Sequence, residues 1–160
     1  MKNNKTLIIY FSHSNNTKQI AECIQELTKV DIIRIEPETP YPSGYKETID
    51  EMSRQNKGRI LPPFKKVDIN IQDYDTIFFG HPVWDMRLPP LVRTFLRDND
   101  FSEKTIIPFN THAGYETGKS VDEIREFAPK TNVLEVLSIK DSNIKNAISQ
   151  VEKWVKKMLD

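Results

Sequence analysis

The most constraining feature of this 160-residue sequence is an abrupt change of hydrophobic period near its start. Residues 5–11 (KTLIIYF) form a short continuous apolar run, which suits a strand buried on both faces of a parallel sheet. Beyond a polar turn, Ile20, Cys23, Ile24 and Leu27 recur at intervals of three and four, the pattern of an amphipathic helix over 17–27. Strand, polar turn and helix make one βα unit, and the alternation repeats. Residues 30–35 read as a second strand and 75–80 as a third, ending at His81-Pro82. Pro89-Pro90 then opens a helix carrying Leu91, Val92, Phe95 and Leu96, since early helical N–H groups have no intrahelical partner for proline to remove. A fourth strand over 104–109, a helix over 120–127 and a fifth strand over 132–139 follow. The last helix, over 144–159, has Ile144, Ala147, Ile148, Val151, Val155, Met158 and Leu159 on one face.

Five strands alternating with helices predict an α/β fold: a doubly wound, open parallel sheet with helices on both faces. The length suits a single domain over 1–160, enough to bury roughly two thirds of the unfolded surface. One segment interrupts the alternation. Residues 37–66 hold Pro37, Pro40, Pro42, Pro62 and Pro63 around a polar helical stretch near 46–55, and read as a surface excursion, either a binding lid or a solvated crossover.

Composition removes several function classes. Lys plus Arg equals Asp plus Glu at 23 each, so no global field attracts nucleic acid or an anionic membrane. The 7–11 run is too short for a signal-peptide core or a membrane span, and the cytoplasm is the expected compartment. Cys23, the single cysteine, cannot form an internal disulfide, and its helical phase makes it a buried small hydrophobe. No CxxC, HExxH or spaced His/Cys set points to a metal.

In such a sheet the ligand crevice lies beyond the carboxyl ends of the strands, so three loops carry the chemistry. After the first strand come Ser12, His13, Ser14, Asn15, Asn16 and Thr17, small hydrogen-bonding residues leading straight into a helix. A helix N-terminus offers unpaired N–H donors, and these side chains complete a cage for a phosphate. The same residues also serve as ordinary caps and turn formers. After the third strand, residues 80–90 place Trp84 and Pro82 at the crevice, where Trp84 either stacks on a planar ligand or packs over the sheet edge. After the fourth, residues 110–120 bring Gly114 and Gly118, which let backbone approach a ligand, and a second aromatic, Tyr115. His13, His81 and His112, all the histidines of the chain, fall in these loops. Neither GxxxxGK[ST] nor GxGxxG is present, which argues against a nucleoside triphosphate or dinucleotide fingerprint.

Residues 12–17 after a hydrophobic strand resemble the flavodoxin phosphate loop, usually S-x-T-G-N-T. Gly80-His81-Pro82-Val83-Trp84 and Thr111-His112-Ala113-Gly114-x-x-x-Gly118 resemble the two later loops of the flavodoxin-like family, in the branch with G-x-P-x-W and T-H-x-G. The resemblance covers nearly the whole chain and implies the flavodoxin-like strand order 2-1-3-4-5 and a bound FMN. It implies phosphate on Ser12, Ser14, Asn15, Asn16 and Thr17, with His13 in the same loop. By the same carry-over, Pro82, Val83 and Trp84 flank the flavin ring, and backbone of Thr111, His112, Ala113 and Gly114 bonds its polar edge. Asp85, Tyr115 and Gly118 complete the cofactor-binding set. The chain departs from the pattern at Asn15 for glycine, Ser14 for threonine and Asp85 where the branch often has an aromatic; asparagine tolerates positive φ better than other non-glycine residues.

Flavin carries the redox chemistry itself, so no protein nucleophile is expected. His81, Arg87, His112 and Lys119 are candidates to stabilise a reduced, anionic ring. The implied activity is an FMN oxidoreductase passing electrons from NAD(P)H to a quinone or similar small acceptor, as monomer or homodimer. The alternatives are a one-electron carrier between protein partners, against which the neutral charge balance argues, and a non-catalytic module for flavin or another phosphate ligand. A receiver domain would need an acidic phosphoacceptor after the first strand, and a low-molecular-weight phosphatase a cysteine and arginine in the loop; both are missing.

Overall fold

A computed structural model describes residues 5–160; the first four residues of the domain expected over 1–160 lie outside it. Six strands form one parallel sheet: β1 (Thr6–Tyr10), β2 (Asp31–Arg34), β3 (Thr76–Pro82), β4 (Thr105–His112), β5 (Asn132–Val133) and β6 (Leu137–Lys140). The order is β2-β1-β3-β4-β5, with β6 also pairing with β4, all parallel. This is the doubly wound α/β fold expected from the alternation.

The period of two along each strand sorts the core onto two faces. Leu7, Ile9, Ile77, Phe79 and Ile106 point to one side, where they meet Leu91, Val92, Phe95 and Leu96 of α3 (Pro90–Asp98) and Ile124 of α4 (Ser120–Phe127). Ile8, Phe78, Ile107 and Phe109 point to the other, against Ile20, Ala21 and Ile24 of α1 (Asn16–Thr28) and Val151, Trp154 and Val155 of α5 (Ile148–Leu159). Gly80 lies in register with Phe109, and a Cβ there would stand 2.2 Å from the Phe109 ring, so glycine is what lets that ring lie flat on β3.

Four boundaries differ from the sequence expectation. Strand β3 runs through His81 to Pro82 instead of stopping at Gly80, because Pro82 occupies the last ladder position, where a missing N–H removes nothing from the strand interior. Strand β4 likewise extends to His112. The fifth strand is cut into β5 and β6: the Glu135 carbonyl accepts from the Trp154 indole at 3.1 Å, which turns the connecting residues towards α5. The final helix starts at Ile148, after a 3-10 segment over Asp141–Asn146, which leaves Ile148 and Leu159 exposed and puts Trp154 in the core instead. Cys23 is half-buried against the α1–α5 face, and desolvation pushes its thiol up.

The proline-rich excursion is a closed ear rather than a loose crossover. Pro37 and Phe64 bridge antiparallel at its neck, with Glu38 N–H donating to Pro63 O at 3.1 Å and Lys65 N–H to Glu36 O at 2.8 Å. Its helix, α2 (Tyr45–Lys57), stands beside the carboxyl edge of the sheet.

Candidate functional site

The three loops meet the ear around one cavity of about 730 Å³. The first loop turns at Asn15, whose φ of 70° is the left-handed conformation that asparagine accepts with least strain. No side chain of the N-cap closes α1 and no acidic residue stands in its first turn. Ser12 Oγ accepts the Lys18 amide at 3.1 Å, but among the described residues the amides of Asn15, Asn16 and Thr17 have no protein acceptor. Free donors at a positive dipole end are what a phosphate requires. The Ser12 carbonyl is held by Arg34 at 2.6 Å, and the Thr17 hydroxyl is 2.8 Å from that of Thr111, which ties the first loop to the third.

The second loop is a tight hairpin. Trp84 and Arg87 exchange both backbone hydrogen bonds, at 3.0 and 3.1 Å, around Asp85 and Met86 at φ 55° and 59°. Two consecutive non-glycine residues in that region carry backbone strain, and the surroundings hold it in place. Arg87 donates to Glu123 at 2.8 Å, and Glu123 also accepts the Leu88 amide at 2.9 Å. Gly118 completes the clamp. Its φ is 52°, a Cβ would lie 2.1 Å from the Met86 carbonyl, and the next amide, Lys119, donates to that carbonyl at 2.7 Å.

Trp84 both packs and lines the cavity, so the two sequence readings of it combine. It meets Phe11, Tyr41 and His13 edge to face, at centroid distances of 5.4, 5.1 and 6.1 Å. Tyr41 is buried, its phenol pushed up to about 12 by desolvation, and it donates to Gln55 at 2.8 Å.

In the third loop, His112 Nδ1 accepts the amides of Gly114 and Glu116 at 3.0 and 3.2 Å. Nδ1 therefore carries no proton, the ring hydrogen sits on Nε2, and the imidazole shapes the turn. His13 Nε2 lies 3.1 Å from the Thr48 hydroxyl, whose single hydrogen points to the Pro42 or Gly44 carbonyl, each at 2.7 Å. His13 must then donate, and it fastens the first loop to α2.

Two candidate charges fall away. His81 is fully buried, and desolvation holds its pKa at about 4, with the Pro82 carbonyl and Glu123 opposing; the imidazole is neutral near pH 7. Arg87 is engaged by Glu123.

Of the residues expected from the sequence, His13, Ser14, Pro82, Val83, Trp84 and Asp85 line the cavity, as do Thr111, His112, Ala113 and Tyr115. Ser12, Asn15, Asn16, Thr17, Gly114 and Gly118 shape the loops behind that lining. The far wall goes beyond expectation: Ser43, Tyr45, Thr48, Ile49 and Met52 from the ear, Met86 from the hairpin, and Asp141. Tyr45, Thr48, Ile49 and Met52 stand at i, i+3, i+4 and i+7, a legible stripe inside an otherwise polar helix. Asp141 has no such signal; desolvation raises its carboxyl, while a hydrogen bond with Asn16 and the nearby His112 lower it.

Among solved structures the fold is shared with a Bacteroides uniformis protein described as a flavoprotein, at TM-score 0.83 and 24% identity, covering 96% of this chain and 98% of that one. A Bacteroides eggerthii protein of the same description matches at TM-score 0.76 and 27% identity, over 93% and 98% of the two chains. A Lactobacillus acidophilus flavoprotein, solved in complex with FMN, matches at TM-score 0.71 and 27% identity, over 89% and 97%. No curated protein matches the sequence significantly. The flavodoxin family model, however, aligns with residues 5–158, through every strand of the sheet and all three loops. This chain belongs to the flavodoxin family.

Proposed function

We propose that the chain is an FMN-dependent oxidoreductase that carries electrons from NAD(P)H to a quinone or similar small acceptor. The observation that carries this reading is one cavity lined by His13 and Ser14 of the loop that leads into the uncapped α1, by Trp84 of the hairpin and by Thr111, His112 and Ala113 of the third loop. These residues fit FMN. The free amides at 15–17, with Ser14 and Asn16, take the phosphate; Pro82, Val83 and Trp84 give the ring a flat apolar wall, and the turn at Thr111, His112 and Ala113 faces its polar edge, the Gly114 amide being held by His112. The FMN complex of the Lactobacillus relative supports that assignment.

FMN held by these residues would supply the hydride and electron-transfer chemistry. The net reaction is balanced: NAD(P)H, one proton and a quinone give NAD(P)⁺ and a hydroquinone. The chain's own groups bind, orient and shield. The Thr17–Thr111 contact and the Gly118–Met86 clamp fix the loops relative to one another, which supplies the positioning that transfer between stacked partners demands. Neutral His81 contributes no positive charge near the ring near pH 7.

Anaerobic stopped-flow mixing of the FMN-loaded protein with NADH and with NADPH tests the donor. Bleaching of the visible flavin bands by at least one nicotinamide is the expected result. No bleaching by either, with reduction by dithionite intact, overturns the oxidoreductase reading and leaves a carrier fed by a protein.

A further inference from the structure

The ring, as assigned above, uses only one wall of the cavity. The lining also includes Tyr45, Ile49 and Met52 of α2, to which the ring is not assigned. Among the described residues eight large hydrophobic side chains are exposed, and half of them line this one cavity: Tyr45 at 82%, Tyr115 at 72%, Met86 at 54% and Ile49 at 37%. They come from three separate segments, so the cluster is not the spare face of a single helix. Exposed apolar side chains gathered in a concavity mark a ligand surface rather than unavoidable surface greasiness.

The charge of the lining is equally one-sided. Its formally charged members are Asp85 and Asp141, and no lysine or arginine joins them. The FMN phosphate is met by the free amides at 15–17, but an anionic acceptor has only two carboxylates and no lysine or arginine in this lining, whereas a neutral aromatic acceptor meets complementary surface.

The wall is also preorganised. Thr48 is bound to His13 at 3.1 Å, Asn56 is bound by the buried guanidinium of Arg93 and reaches Asp85 at 3.4 Å, and Gln55 is bound by Tyr41 at 2.8 Å. A surface fixed before binding loses less entropy when it is occupied.

We infer that the α2 wall is the acceptor site and that it selects planar apolar acceptors without negative charge, with Tyr45 and Ile49 as the residues that set the choice. This rests on the flavin-oxidoreductase reading of the same cavity.

The test uses the oxidised, FMN-loaded protein with no electron donor present, and equilibrium dialysis against naphthoquinone and naphthoquinone sulfonate, which differ by one negative charge. The neutral quinone binds at least about tenfold more tightly, and Tyr45→Ala/Ile49→Ala weakens that binding by about tenfold or more, the loss expected for two apolar side chains, while FMN is still retained. Both side chains reach solvent, so the double variant folds. Equal affinity for the two quinones, or wild-type binding by the double variant, overturns the inference. Retained FMN with no quinone binding at all also overturns it, in favour of a protein acceptor. Failure to retain FMN, read from the visible spectrum before any quinone is added, brings down the underlying flavin reading instead, so the two failures are told apart.

Discussion

Ser14→Asp is expected to abolish tight FMN binding while leaving the protein at least as stable as before. Ser14 is exposed, lines the cavity and stands beside the free amides that open α1. A carboxylate there lies near the positive end of the helix dipole, worth about 0.3–1 kcal/mol to the fold. Against a phosphate the same carboxylate is a like charge. At a separation of ~5 Å and an effective dielectric of ~20, each pair of unit charges repels by about 3 kcal/mol, and a phosphate monoester carries more than one. The expected loss is therefore at least about 100-fold in FMN affinity, titrated through flavin fluorescence, with a melting temperature unchanged or slightly raised. Ser14→Asn, close in size and uncharged, holds FMN within a few-fold of the parent. An Asp variant that binds FMN as the parent does would place the phosphate elsewhere.

The opposite signs matter, because a merely damaged loop would lower both quantities. They also show which part of the site was readable in advance. Small polar residues between an apolar strand and a helical period suggest either an anion loop or ordinary caps, and the left-handed turn at Asn15 is what asparagine in place of glycine suggests. The open parallel sheet follows from the alternation, and its strand order from the resemblance of the three loops to the flavodoxin-like family. Two things did not follow. The stripe Tyr45, Thr48, Ile49, Met52 lies within a proline-rich, polar excursion, and a period of 3.6 says that a helix has an apolar face, not what that face looks at. The break of the fifth strand depends on a hydrogen bond between Glu135 and Trp154, residues 19 apart on different elements, and no local pattern encodes such a pairing.

His81 provides the second large effect. Proline following histidine after a strand reads as a stop, yet β3 continues and carries the imidazole into the interior. Its Nδ1–H donates to the Pro82 carbonyl at 2.8 Å, and Nε2 has no partner among the described residues. Desolvation lowers the folded-state pKa to about 4, against 6.5 for a free side chain. Below pH 6.5 the unfolded chain gains a proton that the native state refuses, so stability falls with falling pH until the native imidazole titrates near 4. The full span corresponds to about 3 kcal/mol, and the step from pH 7 to pH 5 to about 2 kcal/mol. Carboxylates titrate in the lower part of this window as well, so the comparison is with His81→Leu. Urea unfolding at the two pH values is expected to show a drop for the parent that exceeds the variant's by about 2 kcal/mol. Parallel drops would mean that His81 is not held neutral by burial.

The Ser14 effect presupposes a flavin site whose loops are built before the ligand arrives. The most direct measurement is the absorbance spectrum of the purified protein after incubation with FMN and gel filtration to remove the excess. Visible flavin bands that co-elute with the protein near one equivalent per chain are the predicted result. A colourless protein that cannot be reconstituted would contradict the account, leaving a flavodoxin fold whose anion loop and aromatic wall serve some other ligand.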